Sequence, residues 1–348
     1  MRAMVLEQLG SLAESPRPLV ARDVPRPEPA AGSVLIRVAA CGVCHTELDE
    51  IEGRLPPSTL PRIPGHQVVG HVEAAGAEAD YRLVGDRVGV AWIHHACGRC
   101  AACAAGRENL CPEFAATGRD VDGGYAEYLT APADFVHAIP PIFSDVEAAP
   151  LLCAGAIGYR SLQLANLEDG GALGLTGFGA AGHLVLMMAR ARYPRSRVHV
   201  FARSDRERDF ARALGAVWAG GTDDRAPEPL SAIIDTTPAW KPIVEALDNL
   251  APGGRLVINA IRKEAGDQGE LQRLDYARHL WLEKEIKTVA NVTRADVRAC
   301  LDLAAAIPIR PEVEPYPLEA ANGALADLKR GRLRGAKVLM APNATLKR

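Results

Sequence analysis

Short runs of β-branched and apolar residues, each cut off by glycine or proline, occupy the chain as far as Pro150, as at 33–38, 67–70 and 86–90. Segments of this kind predict the strands of a compact, mostly β domain. After Pro150 the rhythm changes. Apolar runs at 172–176, 197–202, 216–218, 231–235, 255–260 and 286–290 alternate with stretches of helical period. One helix is expected to open at Gly179 and to turn Leu184, Met187, Met188 and Ala191 to one side. Another opens with Ser204 three residues before Glu207, a capping box that satisfies free N–H groups of the first turn. Six strands with intervening helices describe a doubly wound parallel sheet. The chain then returns to a Pro-rich strand at 311–317, a helix from about Glu319 and a strand at 337–341. The expected organisation is one domain of residues 1–152 and 292–348, into which the sheet domain, 153–291, is inserted.

Composition narrows the field without deciding it. A chain of 348 residues has room for two domains, and a hydrophobic share of 48% with 24% charged residues suits a soluble globular protein. A formal net charge of −3 gives no electrostatic reason to expect nucleic acid or an anionic membrane as partner. No apolar run approaches the roughly 18 residues needed to span a bilayer, and residues 1–10 lack the apolar core of an export signal. Eight cysteines in such a chain point to metal binding in a reducing compartment, with the cytoplasm as the expected location.

Four of those cysteines, Cys97, Cys100, Cys103 and Cys111, lie in one short stretch. Two residues between successive sulfurs let the backbone fold over a single ion, and the fourth returns after a Gly-containing turn. Zn²⁺ bound by four thiolates has no position left for a substrate, so this cluster is expected to hold structure. The alternative of two disulfides would crowd three closely spaced cysteines into strained bridges.

Gly177-Phe-Gly179-Ala180-Ala-Gly182 follows the strand at 172–176 directly and opens a helix. In that context the G-x-G-x-x-G pattern predicts dinucleotide binding. The first glycine makes the tight turn, the second admits the pyrophosphate, the third permits close packing, and the helix N-terminus faces the phosphates. The second strand runs into Ala202, Arg203 and Ser204, with no carboxylate where a ribose 2′-hydroxyl would be held. Arginine suits a 2′-phosphate, so NADP(H) is favoured and NAD(H) remains possible, with Asp205 as an alternative ribose contact.

Cys44, His66 and Cys153 are a second group of metal-type residues. Two sulfurs and one imidazole with a fourth position open is an arrangement used by catalytic zinc. Together with Gly42-Val-Cys44-His-Thr46, Gly65-His66, Gly85-Asp-Arg-Val88, the four-cysteine stretch, Gly123-Gly-Tyr-Ala-Glu-Tyr128 and the block from Pro150 to Cys153, the chain resembles the zinc-dependent medium-chain dehydrogenases/reductases over essentially its whole length. The likeness is to their alcohol dehydrogenase and cinnamyl-alcohol-dehydrogenase-like branch. It implies a Rossmann domain plus a mainly β GroES-like catalytic domain, an α/β protein overall.

The resemblance also implies roles. Cys44, His66 and Cys153 match the catalytic zinc ligands, and Thr46 the hydroxyl that starts the proton relay. Glu47 stands where the family has an aspartate bracing the metal-bound imidazole, and Trp92 where it lines the substrate pocket. Two departures are visible: Gln67 replaces a common glutamate, and Asp49 a relay histidine. The implied activity is reversible hydride transfer between NAD(P)(H) and a primary alcohol or aldehyde of small to medium size. It calls for two zinc ions per chain and a homo-oligomer, dimer or tetramer, with no nucleic acid or membrane partner. A zinc-dependent reductase of ketones or conjugated carbonyls is the alternative on the same fold. A catalytically silent zinc and nucleotide-binding protein is the alternative from another class.

Overall fold

A computed structural model describes residues 1–307, 309–331 and 335–342. The chain divides into two compact units, Met1–Cys153 with Val292–Arg348, and Ala154–Asn291. The division falls after Cys153, one residue later than the sequence pattern suggests, so that cysteine shares a unit with Cys44 and His66. The last part of the expected first domain, 343–348, lies outside the described residues.

The first unit is built on a seven-stranded sheet. Its order is Val313–Pro317, Ala336–Met340, Ser33–Val43, Val68–Ala75, Arg87–Val90 and Val136–Ala138, with Tyr128–Pro132 also paired to Ser33–Val43. The long strand Ser33–Val43 absorbs register shifts near Ile36 and Ala40. It bends over a core that includes Ile36, Val38, Val68, Val88, Leu129 and Leu339. Helix His45–Ile51 follows directly, so the metal-type residues of its first turn are held by the sheet beneath.

The second unit carries a six-stranded parallel sheet in the order Trp218–Gly220, Arg197–Phe201, Ala172–Thr176, Leu230–Asp235, Leu250–Ile258 and Glu285–Thr288. The order reverses between Ala172–Thr176 and Leu230–Asp235, the switch point at which such sheets bind ligands beyond their strand ends. Helix Ala180–Arg192 buries Leu184 and Met188 as the period predicts, but Ala191 is exposed and Val185, Leu186 and Ala189 are buried instead. The reason is a second neighbour. A side chain on Gly158 of helix Ala154–Ala165 would collide with Val185 and crowd Met188, so the helix is covered on more than its sheet face. The strand expected at 216–218 is displaced to Trp218–Gly220, after Val217 N–H bonds the Val198 carbonyl. No helix among the described residues is long and apolar enough to cross a membrane.

One buried group in the first unit makes stability pH-dependent. His137 on strand Val136–Ala138 is 2% exposed, and neither ring nitrogen has a partner among the described residues. Burial, aided by the charges of Arg298 and Arg294, pulls its pKa down from 6.5 to about 4. Between those values the unfolded chain binds the proton and the folded chain does not. Stability is therefore full above pH 6.5 and falls as the pH drops toward 4, by at most about 3 kcal/mol. In urea unfolding followed from pH 7 to pH 4.5, His137→Leu is expected to show a shallower acid decline than wild type. Parallel declines in the two proteins would rule this ring out as the titrating group.

Candidate active site

Helix His45–Ile51 starts at Cys44, whose backbone N–H donates to Glu47 Oε2 at 2.7 Å in a capping box. The other oxygen, Oε1, lies 2.5 Å from Nδ1 of His66. Glu47 thus ends a helix and braces an imidazole with one carboxylate, and both side chains are almost wholly buried. His66 is placed by Gly65, which sits at φ +102° with Tyr125 so close that a Cβ would fall 2.4 Å from its ring. Only glycine fits there. Nε2 of His66 then points at Cys153 Sγ, 3.2 Å away.

The ligand atoms of Cys44, His66 and Cys153 all lie within 4.8 Å of one another. Tetrahedral Zn²⁺ with bonds of about 2.0–2.3 Å needs ligand atoms roughly 3.5–4 Å apart, so the donor set and its spacing fit zinc with one position open. The three groups share their protons unequally. A hydrogen bond with Cys153 and contacts with His66 hold the Cys44 thiol well below the ordinary range, and the same pairing with burial pushes Cys153 up. Burial works against a charge on His66, yet Glu47 and Cys44 outweigh it and raise the ring.

Thr46 Oγ1 lies 3.6 Å from Cys44 Sγ in a nearly closed position. Asp49 is engaged elsewhere: its Oδ1 accepts from Arg54 Nε at 2.7 Å. Gln67 is buried, with its amide filling the space that Gly42 leaves free. Trp92 stands edge-on to His66, ring centroids 6.3 Å apart. It is flanked by Phe114 at 5.6 Å and by the guanidinium of Arg119 at 5.6 Å. Neither flanking residue carries a sequence signal, since both come from the far side of the four-cysteine loop. Glu50 is a further surprise. It is 1% exposed, both oxygens lack a partner among the described residues, and burial with the nearby Glu47 drives its carboxyl well above the usual range.

The second cysteine group closes as its spacing suggests. Cys97, Cys100, Cys103 and Cys111 have their sulfurs within 4.8 Å of one another, and none of the eight cysteines forms a disulfide. Backbone N–H groups point at the sulfurs: Cys103 at Cys100 (3.5 Å), and Cys97 and Glu113 at Cys111 (3.3 Å each). The Cys103 N–H in particular lowers the Cys100 thiol to about 7. Burial and the neighbouring sulfurs push the Cys103 thiol up to about 12, so one proton is shared within the group, and four clustered sulfurs with no position spare fit a closed zinc site. Arg294 at the start of helix Arg294–Ala306 donates its N–H to Glu108 at 3.0 Å and ties this loop to the unit.

In the second unit Gly177 adopts φ +82° and Gly179 caps helix Ala180–Arg192. A Cβ on Gly182 would lie 2.7 Å from the Gly177 carbonyl, so the turn requires glycine at 177 and 182, whereas a Cβ on Gly179 would meet nothing within 4 Å. The helix N-terminus is left free for phosphate. Beyond strand Arg197–Phe201, Ala202 is buried and Arg203 exposed. Ser204 forms the capping box that the sequence predicts: its Oγ accepts from Glu207 N (3.3 Å) and donates to Glu207 Oε2 (2.9 Å). Asp205 pairs with Arg208 at 2.5 Å, and Arg208 also bonds the Ala202 carbonyl at 2.8 Å. Arg208, half-buried by these bonds, carries no sequence signal because an arginine in a helix is unremarkable.

Comparison with known proteins agrees with this geometry. Residues 30–141 match the alcohol dehydrogenase GroES-like domain. A probable alcohol dehydrogenase, AdhA, of Mycobacterium tuberculosis is 44% identical over 98% of this chain and 97% of its own length. The chain belongs to the zinc-dependent alcohol dehydrogenases of the medium-chain family. An alcohol dehydrogenase of Geobacillus stearothermophilus is 34% identical over 94% of the chain and 96% of its own length. Among solved structures, a cinnamyl alcohol dehydrogenase of Sorghum bicolor shares 28% identity at a TM-score of 0.85, covering 100% of this chain and 99% of that one. A cobalt- and zinc-bound thermostable alcohol dehydrogenase of Pyrobaculum aerophilum shares 25% identity at a TM-score of 0.87, covering 98% of this chain and 99% of that one. This alcohol dehydrogenase therefore has a GroES-like unit and a Rossmann unit, and its reaction is the oxidoreduction of an alcohol and carbonyl pair. The catalytically silent alternative finds no support among these relatives.

Proposed function

We propose that the chain interconverts small to medium primary alcohols and aldehydes with NADP(H), using zinc held by Cys44, His66 and Cys153 and a structural zinc held by Cys97, Cys100, Cys103 and Cys111. The observation that carries this reading is the buried imidazole with Nε2 3.2 Å from Cys153 Sγ and Nδ1 committed to Glu47. When bound, the zinc supplies a Lewis acid for the substrate oxygen and the nicotinamide exchanges the hydride. Glu47 fixes the tautomer of His66 that keeps Nε2 available as a ligand. Thr46 Oγ1 would accept a hydrogen bond from the substrate hydroxyl and relay the proton, releasing its own toward solvent as it receives one in oxidation and the reverse in reduction. Asp49, engaged by Arg54, is assigned to anchoring the helix end rather than to the proton step. Trp92 presents its indole beside His66 and limits the substrate to modest size. Metal analysis should give two zinc ions per chain, and one each in Cys153→Ala and Cys100→Ser. The first variant should lose turnover and keep cofactor binding; the second should lose stability, because a closed site contributes folding free energy. Turnover retained by a Cys153→Ala protein lacking that zinc would defeat the reading.

For the cofactor, Arg203 stands exposed at the strand end with no ion pair among the described residues, and Asp205 is already paired with Arg208. A charge-assisted contact with the 2′-phosphate is worth ~1.5–3 kcal/mol, roughly one to two decades of affinity. NADPH should therefore exceed NADH in kcat/KM, and the double variant Ala202→Asp with Arg203→Ala should reverse the order. A wild type that already prefers NADH would count against this.

A homo-oligomer is supported by the last strand of the second unit. Glu285–Thr288 is exposed along its length and pairs on one side only among the described residues, beside exposed Trp281, Leu282 and Tyr276. An open, partly apolar edge suits pairing with a second copy about a two-fold axis. Light scattering should give at least twice the chain mass for wild type and a shift toward monomer for Ile286→Asp. A monomeric wild type would refute it.

A further inference from the structure

A buried ion pair in the second unit has no part in the assignments above. Strand Leu230–Asp235 ends in Asp235, which is 0% exposed and pairs in register with Thr176 across the switch point. Asp235 Oδ1 accepts from Thr176 Oγ1 at 2.5 Å and from Thr237 Oγ1 at 2.8 Å. Its Oδ2 accepts from Lys263 Nζ at 2.5 Å. Lys263, in the loop after strand Leu250–Ile258, is only 8% exposed in its side chain. It donates further to the carbonyls of Thr237 (2.7 Å) and Ala239 (3.1 Å), so all three ammonium protons have acceptors.

A buried pair of this kind contributes little net stability, because desolvation offsets most of the attraction. Geometry is what it contributes. The loops after Asp235 and after Ile258 contain no strand or α-helix before Lys241 and Asp267, respectively. Lys263 fastens each to the other and both to the strand ends. Glu264 N–H adds a bond to the Pro238 carbonyl at 2.8 Å, and Asp267 Oδ2 accepts from Trp240 and Lys241 N–H at 2.8 and 2.9 Å. Thr236 Oγ1 donates to the Thr176 carbonyl at 3.0 Å, at the root of the glycine turn.

A dinucleotide whose pyrophosphate sits at that turn lays one half on each side of the switch point. The side of Arg197–Phe201 and Arg203 takes the adenosine half. The loops after Asp235 and Ile258 face the other. We infer that Lys263 and Asp235 are positioning residues that lock these two loops into the floor for the nicotinamide half of the cofactor. This rests on the cofactor reading given above. Neither side chain is left with a group for the ligand, so they act through the loops.

The test separates the two halves. Binding of NADPH or NADH, whichever is tighter, is compared with binding of the matching adenosine fragment, 2′,5′-ADP or ADP. Lys263→Met should weaken the dinucleotide by about tenfold or more and leave the fragment within about twofold. The milder Asp235→Asn should likewise weaken the dinucleotide and leave the fragment within about twofold. Equal losses for dinucleotide and fragment, or no loss for either, would overturn the lock. Hydrogen exchange on the wild-type chain gives a second reading if the variants fold poorly. Residues 236–240 and 259–266 should exchange more slowly with the dinucleotide and at an unchanged rate with the fragment. Slowing by the fragment, or no slowing by the dinucleotide, would also overturn it. A wild type that binds neither ligand would instead defeat the cofactor reading.

Discussion

Glu47 and His66 meet at 2.5 Å in a site from which water is excluded. A carboxylate in that position needs donors, and it has two: the imidazole on one oxygen and the N–H of Cys44 on the other. The same contact starts helix His45–Ile51, orients the ring and sets the distance between Cys44 and His66. Breaking it would leave a buried charge without compensation, the costly case for ionised groups in protein interiors. Its surroundings follow from that requirement. Gly65 must be glycine because the ring of Tyr125 closes over it, and Gly42 must be glycine because Gln67 occupies its side-chain space. The extra methylene of glutamate at position 47 is accommodated, since both oxygens reach their partners.

The two units solve different problems with the same economy of polar groups. In the first, thiols and an imidazole are gathered on an antiparallel sheet whose bent central strand delivers Cys44. In the second, a parallel sheet presents strand ends and loops, and buried side chains hold those loops. Asp235 and Lys263 there are counterparts of Glu47 and His66: an acid and a base, both buried, the acid held also by two threonine hydroxyls and the base by two backbone carbonyls. The four-cysteine loop needs no such partner. Backbone N–H groups point directly at two of its sulfurs, those of Cys100 and Cys111.

The sequence by itself determined the elements whose signals are local. The six parallel strands, the glycine turn at Gly177–Gly182, the Ser204 capping box and the four closely spaced cysteines depend on residues near one another in the chain, where period and spacing act. The grouping of Cys44, His66 and Cys153 was legible only because the motif around each resembles a known family; no spacing links positions 44, 66 and 153. Tertiary structure decided what long-range contacts decide. It buried Val185 where the helical period pointed to Ala191, because helix Ala154–Ala165 packs there at Gly158. It also brought Lys263 to Asp235, a pair separated by 28 residues and fixed by neighbouring strand ends. A polar side chain commits to whichever partner the fold brings within about 3 Å, and that choice is made by packing between segments distant in sequence.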